Sequence, residues 1–321
     1  MAFEWPTLIR LIREGECTPF LGAGASYPAL PLGECLASSL VQRYEATDPT
    51  NPKKCPLVDQ TDLSKVTQWV AIDSGASRIP KLLLADLIKE RNAPASDDPS
   101  EPHRVLAELP LPLYLTTNYD DFMFSALRRA QIEHPAKRTP ISSVHQDYCR
   151  WTDKLMQENT SLFDDRKFEL NPAHPVVFHL HGHINRGLDA RGAVEAMVAT
   201  EDDYLDFLVN VVGDLKNAGP FRASKPQMLP LPVRRALLGN TLLFVGYSLR
   251  DVNFRVILRA IRRSLQNANE PLNIAVQYAG HNPQDMQDYL ERYFARILKL
   301  NVYWSTPRDF TAELRKRWDE A

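Results

Sequence analysis

The chain has 321 residues, enough for about two ordinary domains or for one large α/β domain carrying an insertion. Hydrophobic residues make up 44% and charged residues 24%, which excludes a disordered, collagen-like or membrane-embedded chain. Lys plus Arg (38) nearly balances Asp plus Glu (40), so the net charge of -2 gives no global reason to expect nucleic acid as a partner. Met1 to Arg10 carries Glu4 and no apolar run of signal-peptide length, and no stretch of about 18 apolar residues occurs, so a cytoplasmic protein is expected. Cys17, Cys35, Cys55 and Cys149 are scattered and form no Cys-x-x-Cys pair; they read as free thiols, not as a disulfide framework or a structural zinc site.

In chain order, short apolar runs alternate with helical patterns, as parallel strands covered on both faces do. The first run, Thr18 to Leu21, leads directly into Gly22-Ala23-Gly24-Ala25-Ser26. Glycines there let a backbone approach a phosphate, and amides turned outward ahead of a helix form an anion site; a plain tight turn uses the same residues. Tyr27 stands where the dinucleotide fingerprint has its third glycine, and Pro28 and Pro31 delay the helix, which argues against a dehydrogenase loop. From about residue 28 to 110 the patterns are helical (Leu82 to Lys89, Val105 to Leu109), with a surface loop from Asn92 to Pro102. This segment is expected to be a helical insertion over the sheet.

The second run, Leu113 to Thr116, ends in Thr117-Asn118-Tyr119-Asp120-Asp121, ahead of a helix marked by Phe122, Met123, Ala126 and Leu127. Asn118 and Asp120 read either as ligand contacts at a strand end or as helix caps. Residues 131–175 are expected to form a second helical insertion without a strand. The third run, Val176 to Leu180, contains His179 and continues to His181-Gly182-His183; if it stays extended, the three histidines share a face. A metal site, a base acting near neutral pH, and hydrogen-bonded structural histidines all fit that spacing.

The fourth run, Leu242 to Val245, passes into Gly246-Tyr247-Ser248-Leu249-Arg250-Asp251, where glycine permits close approach, serine offers a hydroxyl and Asp251 can cap the next helix. That helix shows an apolar stripe of Phe254, Ile257, Leu258, Ile261 and Leu265, with Arg255, Arg259 and Arg262 on another face. Asn273 to Gln277 and Leu300 to Trp304 are the last two runs; between them Met286, Leu290, Tyr293, Phe294 and Ile297 repeat the helical pattern after Pro283. The expectation is an α/β, Rossmann-like parallel sheet of about six strands, one domain over 1–321, with the four polar or glycine-rich turns on one ligand-lined edge.

In this order the motifs resemble the SIR2-like domain family, bacterial relatives of the sirtuins. Gly22 to Ser26 matches the family's first glycine loop, Asn118-Tyr119-Asp120 its asparagine and aspartate motif, His181-Gly182 its histidine and glycine motif, and Gly246-Tyr247-Ser248 its late ribose and phosphate loop. Ala199 to Tyr204, read as a strand end passing into a helix, is similar to a further family feature. Deacetylating sirtuins carry a four-cysteine zinc ribbon and an acid and arginine cluster after the first loop; neither is present, since Tyr27 to Gly33 has no acid or arginine.

The resemblance therefore implies an NAD+ hydrolase releasing nicotinamide and ADP-ribose, a conditional NAD-depleting effector of antiphage defence. It implies that Asn118 and His181 are catalytic, that Asp120 meets the nicotinamide carboxamide, and that Gly22, Ala23, Gly24, Ser26, Gly246 and Ser248 hold the diphosphate and adenosine ribose. No catalytic metal is implied, which leaves structural roles for His179 and His183. Conditional activity implies a homo-oligomer or a separately encoded activator such as a HerA-like ATPase, with no membrane and no direct nucleic-acid binding. Two other functions use much the same residues: a non-catalytic module that binds NAD or ADP-ribose as a signal, and an NAD-dependent protein deacylase. The arginines at 234, 235, 255, 259, 262 and 263 read as a solvated face, with an interface or a nucleic-acid patch as alternatives. Glu45 and Asp48 stand at a plausible distance along the chain for an adenosine-ribose contact.

Overall fold

The computed structural model describes residues 3–47, 54–94, 97–133, 140–165, 167–184, 194–216, 228–248, 255–256, 259, 273–280 and 284–321. Its centre is a parallel sheet in the order β3-β4-β2-β1-β5-β6-β7. The strands are β1 (Cys17–Leu21), β2 (Leu113–Thr116), β3 (His145–Tyr148), β4 (Val176–His179), β5 (Thr241–Val245), β6 (Asn273–Gln277) and β7 (Leu300–Trp304). Six of them coincide with the apolar runs to within a residue at either end.

The seventh strand, β3, corrects the expectation of a strand-free segment from 131 to 175. Its sequence, His-Gln-Asp-Tyr, carries no apolar run because it lies at the sheet edge, paired on one side to β4, with Asp147 its sole buried residue. Residues at strand edges need no continuous burial, and periodicity misses them.

Adjacent residues of each central strand serve opposite faces. Phe20, Leu113, Leu115, Phe178, Leu242 and Phe244 belong to one core, whereas Leu21, Tyr114, Val177, Leu243 and Val245 belong to the other. The second face is covered by α1 (Trp5–Arg13), through Leu8 and Ile12, and by the helices Phe122–Glu133 and Pro307–Glu320.

From residue 28 to 110 the described residues form helices and no strand: α2 (Gly33–Glu45), α3 (Leu63–Ser74), α4 (Arg78–Lys89) and α5 (Pro102–Ala107). Asp62 starts α3 by accepting hydrogen bonds from the Ser64 and Lys65 amides at 3.1 and 3.3 Å, an N-cap of the usual kind. Helices α2 to α4 share a third core with Tyr119, Phe122 and Met197, so the insertion is packed onto the carboxyl edge of the sheet. Helix α6 (Phe122–Glu133) follows β2, and α7 (Asp153–Glu158) follows β3.

The chain then forms α8 (Glu201–Lys216), α9 (Leu231–Gly239), α10 (Gln284–Leu298) and α11 (Pro307–Glu320). Phe207 and Val211 of α8 and Val233 and Leu237 of α9 cover the first face; Phe310 and Leu314 of α11 join α1 on the second. The described residues 194–200, ahead of α8, form no strand: Ala199 and Thr200 lie in a bend held by Asp203, which accepts from both amides at 3.1 and 3.0 Å. The apolar stripe expected around 254–265 and Pro283 fall outside the described residues, apart from Arg255, Val256 and Arg259. Of the arginine stretch, Arg234 is buried in α9 and Arg235 is exposed, so those two do not share one solvated face.

Candidate active site at the carboxyl edge of the sheet

Register brings the motifs together. Leu21 at the end of β1 pairs with Thr116 on one side and Val245 on the other, and Thr116 in turn pairs with His179. The residues that follow these positions therefore leave the sheet at one level. The edge also includes the point where the chain crosses from the β2–β4 side of β1 to the β5–β7 side, the switch point at which open α/β sheets hold ligands.

The two glycine loops meet backbone to backbone. Gly22 N–H donates to Val245 O and Gly24 N–H to Gly246 O, both at 2.9 Å. Gly246 has φ +77°, and a Cβ there would lie 2.1 Å from Ala25 N; one on Gly24 would lie 2.9 Å from Gly246 Cα. No side chain fits such contacts. Of the three amides from Gly22 to Gly24, that of Ala23 alone has no acceptor among the described residues, and Ala23 is exposed. Of the phosphate cradle and the tight turn that Gly22 to Ser26 allow, the geometry gives a tight turn with one outward amide.

Asn118 is fixed by four hydrogen bonds. Its backbone N–H donates to Thr116 Oγ1 (2.9 Å) and its carbonyl accepts from His179 Nδ1 (3.0 Å). Its side-chain Nδ2 donates to Gly22 O (3.1 Å) and Ser26 Oγ (3.0 Å). A carbonyl can only accept, so the amine half of the carboxamide must face Gly22, and Oδ1 is left without a partner among the described residues. Ser26 Oγ donates onward to Asp120 Oδ2 at 2.9 Å, and Asp120 Oδ1 accepts from Phe122 N–H at 3.0 Å. Asp120 thus caps α6 and anchors Ser26, with both oxygens engaged. Burial raises its pKa; the charge of nearby His103, the Phe122 amide and the Ser26 hydroxyl oppose the rise.

The histidines separate. β4 ends at His179 and Gly182 takes φ +72°, so the segment does not stay extended and the three side chains do not share a face. His179 and His183 lie side by side, ring centroids 4.9 Å apart. His181 instead packs between Tyr204 and Phe207 of α8, with ring centroids at 5.2 and 4.8 Å, both edge-on. Burial alone drives its pKa down to about 3, and its Nε2 is buried with no hydrogen-bond partner among the described residues. The ring is neutral at physiological pH and carries an unused polar atom. Among the described residues no group of three or more His, Cys, Asp or Glu is placed to hold a metal ion.

A cavity of about 1130 Å³ opens at this edge, and the residues to which the resemblance gives catalytic or NAD-binding roles line it: Gly22, Ala23, Gly24, Ser26, Asn118, Asp120, His181, Gly246 and Ser248. Glu45 does not; its carboxylate accepts from Cys55 N–H at 2.8 Å, and Asp48 lies outside the described residues. Several lining residues escaped sequence reasoning. Tyr204 and Phe207, one helical turn apart, wall in His181; their spacing marks one helix face, but nothing local says that the face meets a histidine. Tyr247 bonds Thr117 across the two loops, and Gln277 Nε2 holds Tyr247 O at 2.7 Å. Gln277, Tyr278 and Trp304, from the ends of β6 and β7, extend the wall to the far side.

A parallel sheet with helices on both faces and a cavity at its switch point defines a Rossmann-like α/β protein. Within that class the chain belongs to the SIR2-like domain family, whose model matches residues 112–298. It is similar to the NAD(+) hydrolase ThsA of Enterococcus faecium, 26% identical over 294 residues, covering 90% of this chain and 49% of that protein. It is also similar to NAD(+) hydrolase ThsA of Cytobacillus dafuensis, 25% identical over 255 residues, covering 79% of this chain and 40% of that one. That of Bacillus cereus (strain MSX-D12) is 22% identical over 234 residues, covering 71% and 38%. The chain spans about half the length, or less, of these curated relatives.

Proposed function

We propose that this chain is an NAD+ glycohydrolase acting as a single SIR2-like unit over 1–321. One observation carries the reading: Asn118 and His181, each two residues past the end of the neighbouring strands β2 and β4, line one cavity with both glycine loops. It is supported by membership of a family whose similar proteins bear the name NAD(+) hydrolase.

The reaction takes NAD+ and water to nicotinamide, ADP-ribose and a proton. Nicotinamide leaves as a neutral ring from a cationic glycosidic link, so no acid catalyst is needed. The site must orient the sugar, tolerate its cation-like transition state and position the water. Asn118 Oδ1, turned away from the Gly22 carbonyl, accepts a hydrogen bond from a ribose hydroxyl or from the attacking water. His181, neutral throughout the physiological range, offers Nε2 as an acceptor for the second of these groups. A pKa near 3 suits hydrogen-bond acceptance better than full proton transfer. Nε2 is buried, so contact with it requires a neighbouring side chain to turn aside. The Ala23 amide and the Gly246–Ser248 segment face the diphosphate and adenosine ribose, while Ser26 and Asp120 act on Asn118.

Free NAD hydrolysis would empty its own cell, so the activity is conditional: an NAD-depleting step in antiphage defence, released by homo-oligomerisation or by a separately encoded activator such as a HerA-like ATPase. The burial of His181 Nε2 favours, as the second reading, a module that binds NAD without cleaving it. Chromatography of NAD incubated with the protein, with and without the neighbouring gene product, separates the two. Nicotinamide and ADP-ribose in equal amounts support the hydrolase; NAD bound but intact under every activating condition supports the binding module.

A further inference from the structure

We infer that His179, which does not line the cavity, is a positioning residue for Asn118. The inference rests on the hydrolase reading for its kinetic consequence, and on geometry alone for its structural one.

His179 is 1% exposed and stands at the last position of β4, opposite Thr116. Its Nδ1 lies 3.0 Å from the main-chain carbonyl of Asn118, and its Nε2 lies 2.9 Å from Nε2 of Gln146 on β3. The two contacts agree on one tautomer. The Asn118 carbonyl can only accept, so Nδ1 must carry the hydrogen; the Gln146 amine can only donate, so the histidine's Nε2 must be bare. Gln146 on the edge strand therefore fixes the ring, and the ring fixes the backbone of the residue that presents its carboxamide to the cavity.

The hold matters because of where Asn118 sits. β2 has ended at Thr116 and α6 begins at Phe122, so residue 118 belongs to neither element. Its backbone is held on the carbonyl side by His179 and on the amide side by the Thr116 hydroxyl, and its side chain by Gly22 O and Ser26. Without the His179 donor the Asn118 carbonyl loses its partner, and the backbone that carries the carboxamide loses one of its two anchors. Misplacing a catalytic group by about 1 Å costs up to about 10²-fold in rate. The His183 ring lies 4.9 Å from that of His179, and the Asn118 carbonyl bond works against the fall in pKa that burial and His183 impose.

Two substitutions separate positioning from packing. His179→Asn puts an amide nitrogen where Nδ1 stands and keeps the donor to Asn118 O; His179→Gln puts it where Nε2 stands and leaves that carbonyl without one. With folded protein and the activator present, His179→Gln is expected to lower kcat about 10- to 100-fold with KM for NAD changed less than about threefold. His179→Asn is expected to restore kcat to within about threefold of the parent. Equal kcat in the Gln variant and the parent, or equal impairment in both variants, overturns the inference. Should the parent hydrolyse no NAD under any condition, the hydrolase reading fails by itself, and crystal structures of the variants decide the positioning claim. A residue-118 carboxamide displaced in His179→Gln and in place in His179→Asn supports it; one in place in both contradicts it.

Discussion

Where β1 meets β5, the carboxyl edge is made of backbone: Gly22 and Gly24 donate to the Val245 and Gly246 carbonyls, and Gly246 leaves no room for a side chain. Where β2 meets β4, it is made of side chains: Asn118 held by Ser26 and His179, and His181 set between two aromatic rings. The first junction builds the wall and has one outward amide left over. The second leaves two polar atoms, Asn118 Oδ1 and His181 Nε2, unmatched. Of the two, His181 Nε2 is buried; an unmatched buried polar atom costs about 1–3 kcal/mol, a cost that a ligand removes when it supplies the missing partner. In the proposed reaction the glycine-rich junction frames the site and the side-chain junction supplies the groups that act on the sugar.

The largest expected effect falls on the second junction. Asn118→Ala and His181→Ala should each lower NAD turnover by about 10²- to 10⁴-fold, as loss of a positioned polar group at the reacting sugar does, with melting temperatures close to the parent's. Substitution at the first junction should do the reverse. Gly246→Ala forces a positive φ and a backbone clash, and should lower stability by about 3 kcal/mol or more in a denaturant titration. A Gly246→Ala protein as stable as the parent would mean that the two loops do not meet as described.

A smaller effect sharpens the line between the two. Ser26 lies on the glycine loop but acts on Asn118, so Ser26→Ala should reduce kcat about tenfold and leave NAD affinity within about threefold in calorimetry. A variant that lost affinity instead, with kcat intact, would return Ser26 to the diphosphate.

The smallest effect is on the pH dependence of stability. Burial holds the pKa of His181 near 3, and those of His179 and His183 below their ordinary 6.5. Below about pH 6.5 the unfolded chain takes up protons that the folded chain refuses, so stability falls by up to about 1.4 kcal/mol per pH unit for each such histidine. Asp120 and Asp147, whose buried carboxyls are raised above their ordinary 3.8, act in the opposite sense at lower pH. The clean comparison is therefore between parent and His181→Leu in urea melts from pH 7 to 5: the variant should lose less stability over that interval. Parallel curves would contradict the burial assigned to His181.

The comparison also explains what the sequence could and could not disclose. Buried parallel strands read as continuous apolar runs, which puts the Asn118 and His181 motifs at strand ends; the resemblance to the SIR2-like family, not spacing, singles out those two residues. β3 escaped because an edge strand of four largely polar residues has no such run. Alternating histidines suggest one shared face; the strand ends at His179, and a left-handed glycine at position 182 redirects the chain, so that His183 lies beside His179 and His181 stands apart. The engagement of the Gly22 and Gly24 amides was invisible, since their acceptors lie more than two hundred residues along the chain. Ser26 and Asp120, 94 residues apart, form a pair for which local spacing carries no signal. What local sequence encodes is which residues stand at the strand ends; which of them still have a free atom is decided by pairing across the sheet.

The most direct test of the central claim is a crystal structure of the His181→Ala protein with NAD. The account predicts the nicotinamide ribose over the β2–β4 junction, with a sugar hydroxyl or an ordered water about 3 Å from Asn118 Oδ1 and the diphosphate beside the Ala23 amide. A dinucleotide bound with its nicotinamide ribose remote from Asn118, or lodged outside this cavity, would contradict it.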